Sequence, residues 1–231
     1  TPVYRKGTFL YGYSRAQKQA REQNRVILVE GYFDHARLLS LGFEETVAAS
    51  GTAFTENQAR NLMGMADRVL VCYDGDPPGR KASVKVARII MAQGGFPEIV
   101  KIPGGMDPDD FAGENGTSGF EALLENAMDP VTFCISLLDH QPGSGYRRVL
   151  VAQKLLEVAS SASNPLVEEE LLAKVEGFTG FSRTALLRSS EDRETETVKR
   201  KVPEAEKWIS SGDKTLLRAA TAGNLLQRDF I

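Results

Sequence analysis

The chain has 231 residues, 42% of them apolar and 26% charged, enough for one large core or two small ones. A formal net charge of −3 excludes a uniformly basic, histone-like binder and leaves room for a local basic groove beside an acidic site. Two distant cysteines, Cys72 and Cys134, exclude a disulfide scaffold, and the two histidines, His35 and His140, neighbour no cysteine, so no zinc site is visible.

Neither a signal peptide nor an apolar run of roughly 18 residues is present, which predicts a soluble, cytoplasmic protein with no membrane contact. The opening "TPVYRKGTFLYGY" lacks a methionine and reads as the middle of a longer protein.

In chain order, "SRAQKQAREQNR" predicts a polar helix capped by Ser14. "RVILVEG" is a short β-branched run, a buried strand. "YFDHARLLSLG" has helical spacing and ends at Gly42. "ETVAAS" is a second strand, and "TENQARNLMGMA" a helix capped by Thr55. "RVLVCYD" is a third strand, with Cys72 as a reduced core thiol. "PGRKASVKVARIIMAQGG" is a long helix with proline in its first turn, and "PEIVKIP" a fourth strand. Connections of this length suit parallel strands with helices on both faces, so the expected class is α/β.

From residue 129 to 190 the segments have helical period, a charged stretch almost free of apolar residues follows, and the last stretch recovers a helical pattern. The expected organisation is a catalytic α/β domain over 1–128, a helical subdomain over 129–190, a charged linker over 191–203 and the start of another helical domain over 204–231, which carries Trp208.

Ligands of parallel α/β sheets bind at the carboxyl ends of the strands. Here those ends carry Glu30, with Asp34 just beyond, then Asp74-Gly75-Asp76, then "PGGMDPDD" with Asp107 and Asp109, and Asp110 as a spare. Carboxylates gathered in this way repel one another unless a cation intervenes, and hard oxygen ligands suit Mg²⁺ or Mn²⁺. Such a cluster serves phosphoryl transfer, in which metals clamp the attacking and leaving oxygens. Taken singly, each acid could equally be a surface carboxylate or a helix cap.

"VEGYFD", then "YDGDPPGRKA" about forty residues later, then "PGGMDPDD", resemble the TOPRIM domain. Their order, with "TPVYRKGTFLYG" and "AASGTAFTENQARNL" between and before them, is most similar to the bacterial DnaG-type primases. That resemblance implies a TOPRIM-type mainly parallel sheet flanked by helices, followed by a small all-helical subdomain. It also implies a DNA-directed RNA polymerase that makes short primers by metal-dependent nucleotidyl transfer. It assigns Glu30, Asp74 and Asp76 as catalytic and, with Asp34, Asp107 and Asp109, as ligands of Mg²⁺ or Mn²⁺. Zinc would belong only to an upstream domain absent from the chain. Implied partners are single-stranded DNA template, ribonucleoside triphosphates and a replicative helicase contacted through the C-terminal domain, with the protein a monomer. Two departures stand out: Met106 where the family often has a charged residue, and Pro77-Pro78 after the DxD. Another TOPRIM enzyme, a nuclease or a topoisomerase, is the competing reading, and a non-catalytic DNA-binding scaffold is a third.

Lys6 matches a basic residue of the family's polymerase core, and Arg80 and Lys81 follow the DxD, so these three are expected to hold nucleic acid or nucleotide. Lys85 and Arg88 continue that helix, and Arg15, Lys18, Arg21 and Arg25 enrich the first 25 residues in positive charge. "GTAFT" could bind an anion or simply cap its helix, and Tyr32 and Tyr73 could stack on bases or pack in the core.

Overall fold

A computed structural model describes residues 6–49, 51, 53–138 and 145–189, without the side chain of Lys6. The predicted linker, the C-terminal helical domain with Trp208, the Lys6 contact and His140 therefore lie outside the described residues.

Four short strands form one sheet: β1 (Arg25–Val29), β2 (Thr46–Ala48), β3 (Arg68–Val71) and β4 (Glu98–Ile99). The order is β2-β1-β3-β4, and every pairing is parallel. Between the strands run α1 (Tyr13–Gln23, before β1), α2 (Tyr32–Ser40), α3 (Glu56–Met63) and α4 (Pro77–Ala92). Beyond β4 come α5 (Pro108–Glu125), α6 (Pro130–Ser136), α7 (Tyr146–Ala159) and α8 (Pro165–Thr179).

Side chains alternate across a strand, and here both sides of the alternation are apolar. Val26 and Leu28 of β1, with Val69 and Val71 of β3, join a core built from α1, α3, α4 and α6–α8. Ile27 and Val29, with Leu70 and Cys72, join the opposite core under α2 and α5. A sheet covered on both faces holds its strands rigidly, so residues just beyond the strand ends are fixed in space.

Three elements differ from the sequence reading. Helix α1 starts two residues early, with Gly12 rather than Ser14 at its N-cap, because the chain leaves an antiparallel bridge between Tyr11 and Ala48 and turns at Gly12. Strand β4 keeps only two residues of "PEIVKIP". The sequence offers a helix cap among these acids but not the 18-residue α5 that follows: Gly113, Gly116 and Gly119 hide its periodicity, and the helix breaks at Gly116, where φ is 64°. Burial of Ala112, Phe120 and Leu124 against β1, β3 and α2 holds it in place.

Thr55 is a helix cap, as one of the two readings of "GTAFT" has it. Its hydroxyl accepts the Gln58 N–H at 3.2 Å and donates to the Gly7 carbonyl, while Gln58 Oε1 accepts the Thr55 N–H at 2.9 Å. Thr55→Ala is expected to cost about 1 kcal/mol of stability, read by urea titration of the 231-residue chain. No loss would mean that the cap contributes nothing.

The amino-terminal edge of the sheet is closed by paired charges. Arg25 bonds Glu45 at 2.8 Å and also Glu121, and Arg68 forms two bonds of 2.8 Å to Glu98.

Candidate active site

In the order β2-β1-β3-β4 the chain turns to opposite sides from β1, so the switch point at which such sheets bind ligands falls between the carboxyl ends of β1 and β3. Glu30 follows β1 directly, and Asp74 stands three residues beyond β3. The two strands are neighbours, with Leu28 opposite Val71 and the Cys72 N–H bonded to the Leu28 carbonyl at 2.8 Å. Two carboxylates from distant parts of the sequence thus reach one place. Neither takes a hydrogen bond or ion pair from any of the described residues.

Asp76 and Asp107 are built alike. Asp76 caps α4, its Oδ1 accepting the Gly79 N–H at 2.7 Å, with Pro77 and Pro78 at the first helical positions. Asp107 caps α5, its Oδ1 accepting the Asp110 N–H at 2.7 Å, with Pro108 next. Proline costs nothing there, since the first helical N–H groups have no intrahelical acceptor. The diproline is therefore a helix start, and each cap commits one carboxylate oxygen.

The carboxyl ends of β3 and β4 are locked together through glycine. The Gly75 N–H bonds the Met106 carbonyl at 2.8 Å, and a Cβ at Gly75 would stand 2.5 Å from the Ile102 carbonyl oxygen. A Cβ at Gly79 would stand 2.4 Å from the Asp74 carbonyl oxygen. These close approaches bring the 102–106 loop, and with it Asp107, against the DxD turn. Met106 contributes its backbone carbonyl to this contact.

Asp34 is buried at 7% exposure and bridges two elements. Its Oδ2 accepts the Gly31 N–H at 3.0 Å and its Oδ1 the Asp109 N–H at 3.3 Å. Asp109 in turn receives Arg37 Nε in an ion pair. Arg37 was not singled out in the sequence. Its only signal there is a position three residues after Asp34, on one face of a helix.

Electrostatics bind the set together. Burial first, then the carboxylates of Asp34, Glu30, Asp107 and Asp76, push Asp74 up to about 6 from the usual 3.8. Glu30 is raised by burial and by Asp34 and Asp76. Asp34 is raised by burial and by Asp107 and Asp109, against the lowering by its two backbone N–H partners. Helices α2, α4 and α5 all start at this rim, and their positive N-terminal ends offset part of the repulsion.

All-oxygen donors that raise one another's pKa fit a hard divalent cation in kind. In arrangement, no group of three or more His, Cys, Asp or Glu among the described residues stands drawn together as a metal cage.

Residues 27–112 match the family described as Toprim-like. The chain is 35% identical over 175 residues to a DNA primase of Chlamydia pneumoniae, covering 74% of this chain and 30% of that protein. Its fold is similar to the Aquifex aeolicus primase, zinc binding and RNA polymerase domains, with a TM-score of 0.69 and 29% identity over 81% of this chain and 45% of that one. In sequence and in fold the chain is similar to the TOPRIM-containing bacterial DnaG-type primases. A DnaG primase catalytic domain bound to single-stranded DNA aligns with a TM-score of 0.68 and 28% identity, over 78% of this chain and 59% of that one. The sheet with its flanking helices is accordingly of TOPRIM type. The chain spans about a third of the length of the curated relatives it matches.

The basic residues after the DxD lie on α4. Arg80 is half-buried, and Lys81, Lys85 and Arg88 are exposed on one side of the helix. None of the four is in an ion pair among the described residues. Tyr73 is core, as packing predicts, whereas Tyr32 is 53% exposed, its ring edge-on to Tyr11 at 4.7 Å. Cys72 and Cys134 are buried free thiols. No helix among the described residues is long and apolar enough to cross a membrane.

Proposed function

We propose that this chain is the TOPRIM part of a DNA primase polymerase domain, making short RNA primers on single-stranded DNA by divalent-metal-dependent nucleotidyl transfer. The observation that carries this reading is the pair Glu30 and Asp74: carboxylates with no hydrogen bond or ion pair among the described residues, just beyond the ends of adjacent strands, at the point where the strand order turns. Their protein environment raises their pKa values instead of satisfying them. Mg²⁺ or Mn²⁺ bound there supplies charge neutralisation and Lewis acidity to the reacting oxygens.

The chain's own residues divide the work. Glu30 and Asp74, with both oxygens uncommitted among the described residues, face the reacting atoms. Asp76 and Asp107 each keep one oxygen free while the other holds a helix in place. Asp34 and Asp109 fix α5 against α2 and complete the proposed ligand set. Arg80 and Lys81, continued by Lys85 and Arg88, offer phosphate groups an unpaired positive track leading away from the site, and Lys6 joins them in the proposal.

The primase relatives favour this reading over a nuclease or topoisomerase. The rest is proposal too: a bacterial cytoplasmic enzyme, acting as a monomer, using ribonucleoside triphosphates, meeting the replicative helicase through residues 204–231, and using zinc only in an upstream module.

The test is anomalous scattering from crystals soaked in Mn²⁺. A peak is expected between Glu30, Asp74 and Asp76, within reach of Asp107. A clean map at that place would overturn the site. Primer synthesis by a full-length primase carrying this segment, with single-stranded template, four ribonucleotides and Mg²⁺, tests the activity.

A further inference from the structure

Among the described residues, Arg37 is the cation that pairs with the acidic rim. It pairs with Asp109, and no other carboxylate of the proposed ligand set is in an ion pair among the described residues. The geometry is specific. Asp34 and Arg37 share one face of α2, three residues apart. Asp109, at the second position of α5, is held by both: its backbone N–H donates to Asp34 Oδ1, and its carboxylate receives Arg37 Nε. The guanidinium lies against Gly113, one turn further along α5. One residue of α5 is thus pinned at two points by α2.

The pin sits between the parts that bear the site. Helix α2 begins directly after Glu30, and α5 begins at Asp107. Fixing Asp109 therefore fixes the spacing between the acid after β1 and the acids after β4.

Folding does not require this pair. Its side chains are 45% and 31% exposed, and exposed ion pairs contribute about 0–1 kcal/mol. Ala112, Phe120 and Leu124 already dock α5.

We infer that Arg37 is a positioning residue of the metal site, orienting Asp109 and setting the distance between the two halves of the rim. Metal ligands are commonly oriented by such outer partners, whose loss weakens affinity about 10–100-fold. The inference rests on the reading of the rim as a metal site, and it makes a prediction whose sign separates it from simple electrostatics. Removing a positive charge beside six acids would by itself tighten binding of a cation. Removing a positioning residue weakens it.

The measurement is Mn²⁺ affinity by electron paramagnetic resonance of the free ion, on the 231-residue chain, in wild type, Arg37→Ala, Arg37→Lys and Asp74→Asn. The expected order is wild type tightest, Arg37→Lys intermediate and Arg37→Ala about tenfold weaker. Thermal melts of the two Arg37 variants are expected within a few degrees of wild type. Equal affinity in wild type, Lys and Ala forms, or tighter binding by Arg37→Ala, overturns the role of Arg37 while leaving the metal site standing. Binding that is absent in wild type, or unchanged by Asp74→Asn, overturns the metal reading and this inference with it.

Discussion

A full-length primase carrying Asp74→Asn is expected to lose primer synthesis by a factor on the order of 10²–10³, the usual scale for removing one electrostatic stabiliser of a reacting centre. The same substitution is expected to make the metal-free chain more stable at pH 8. Asp74 is raised to about 6 from the usual 3.8, so the folded protein binds this proton more tightly than the unfolded chain does. Its contribution to stability is therefore fully present below about pH 4 and is lost as pH rises through about 6. At pH 8 the ionised carboxylate works against the fold, and Asn removes that charge. Two pH units correspond to about 3 kcal/mol, which solvent screening of a half-buried group reduces to about 1 kcal/mol. Urea titrations at pH 4 and pH 8 would show the gain appearing only at the higher pH. A variant that is both inactive and less stable at pH 8 would assign Asp74 a structural role instead.

Gly75→Ala is expected to cost about 3 kcal/mol and to disable the site without touching a carboxylate. Its Cβ would fall 2.5 Å from a backbone oxygen of Ile102, and neither backbone can yield without breaking the 2.8 Å bond from Gly75 to Met106. The 102–106 loop would move, taking Asp107 with it. Gly177→Ala is the control: it lies in α8 with open space around it, and alanine there should be neutral or stabilise by up to about 1 kcal/mol. Equal denaturation midpoints for the two variants would show that the loop adapts freely.

The sequence exposed the parts of the site and hid their assembly. Strands β1 and β3 were legible because "RVILV" and "RVLV" are apolar on both faces, as only a doubly covered sheet requires. The acids were legible because they follow those runs at short spacing. The strand order was not, because pairing of β1 with both β2 and β3 is a tertiary choice that leaves no local mark. Helix α5 stayed hidden behind three glycines, since packing against Phe43 and Leu38 outweighs its weak propensity. The Arg37–Asp109 contact spans 72 residues and depends on that unseen helix. Nothing in the DxD itself marks Gly75 as necessary: the requirement comes from the backbone of Ile102, beyond the next strand.

The two edges of the sheet treat their acids in opposite ways. At the amino-terminal edge Glu45, Glu121 and Glu98 are neutralised by Arg25 and Arg68, which are parts of the chain itself. At the carboxyl edge no cation of the described residues pairs with Glu30 or Asp74, which leaves them open to counter-charge from solution. One end of the molecule thus carries its own counter-charges, and the other is left open to its surroundings. Ion concentration becomes a thermodynamic variable of the fold as well as of the chemistry, because whatever binds only the folded rim stabilises it by mass action.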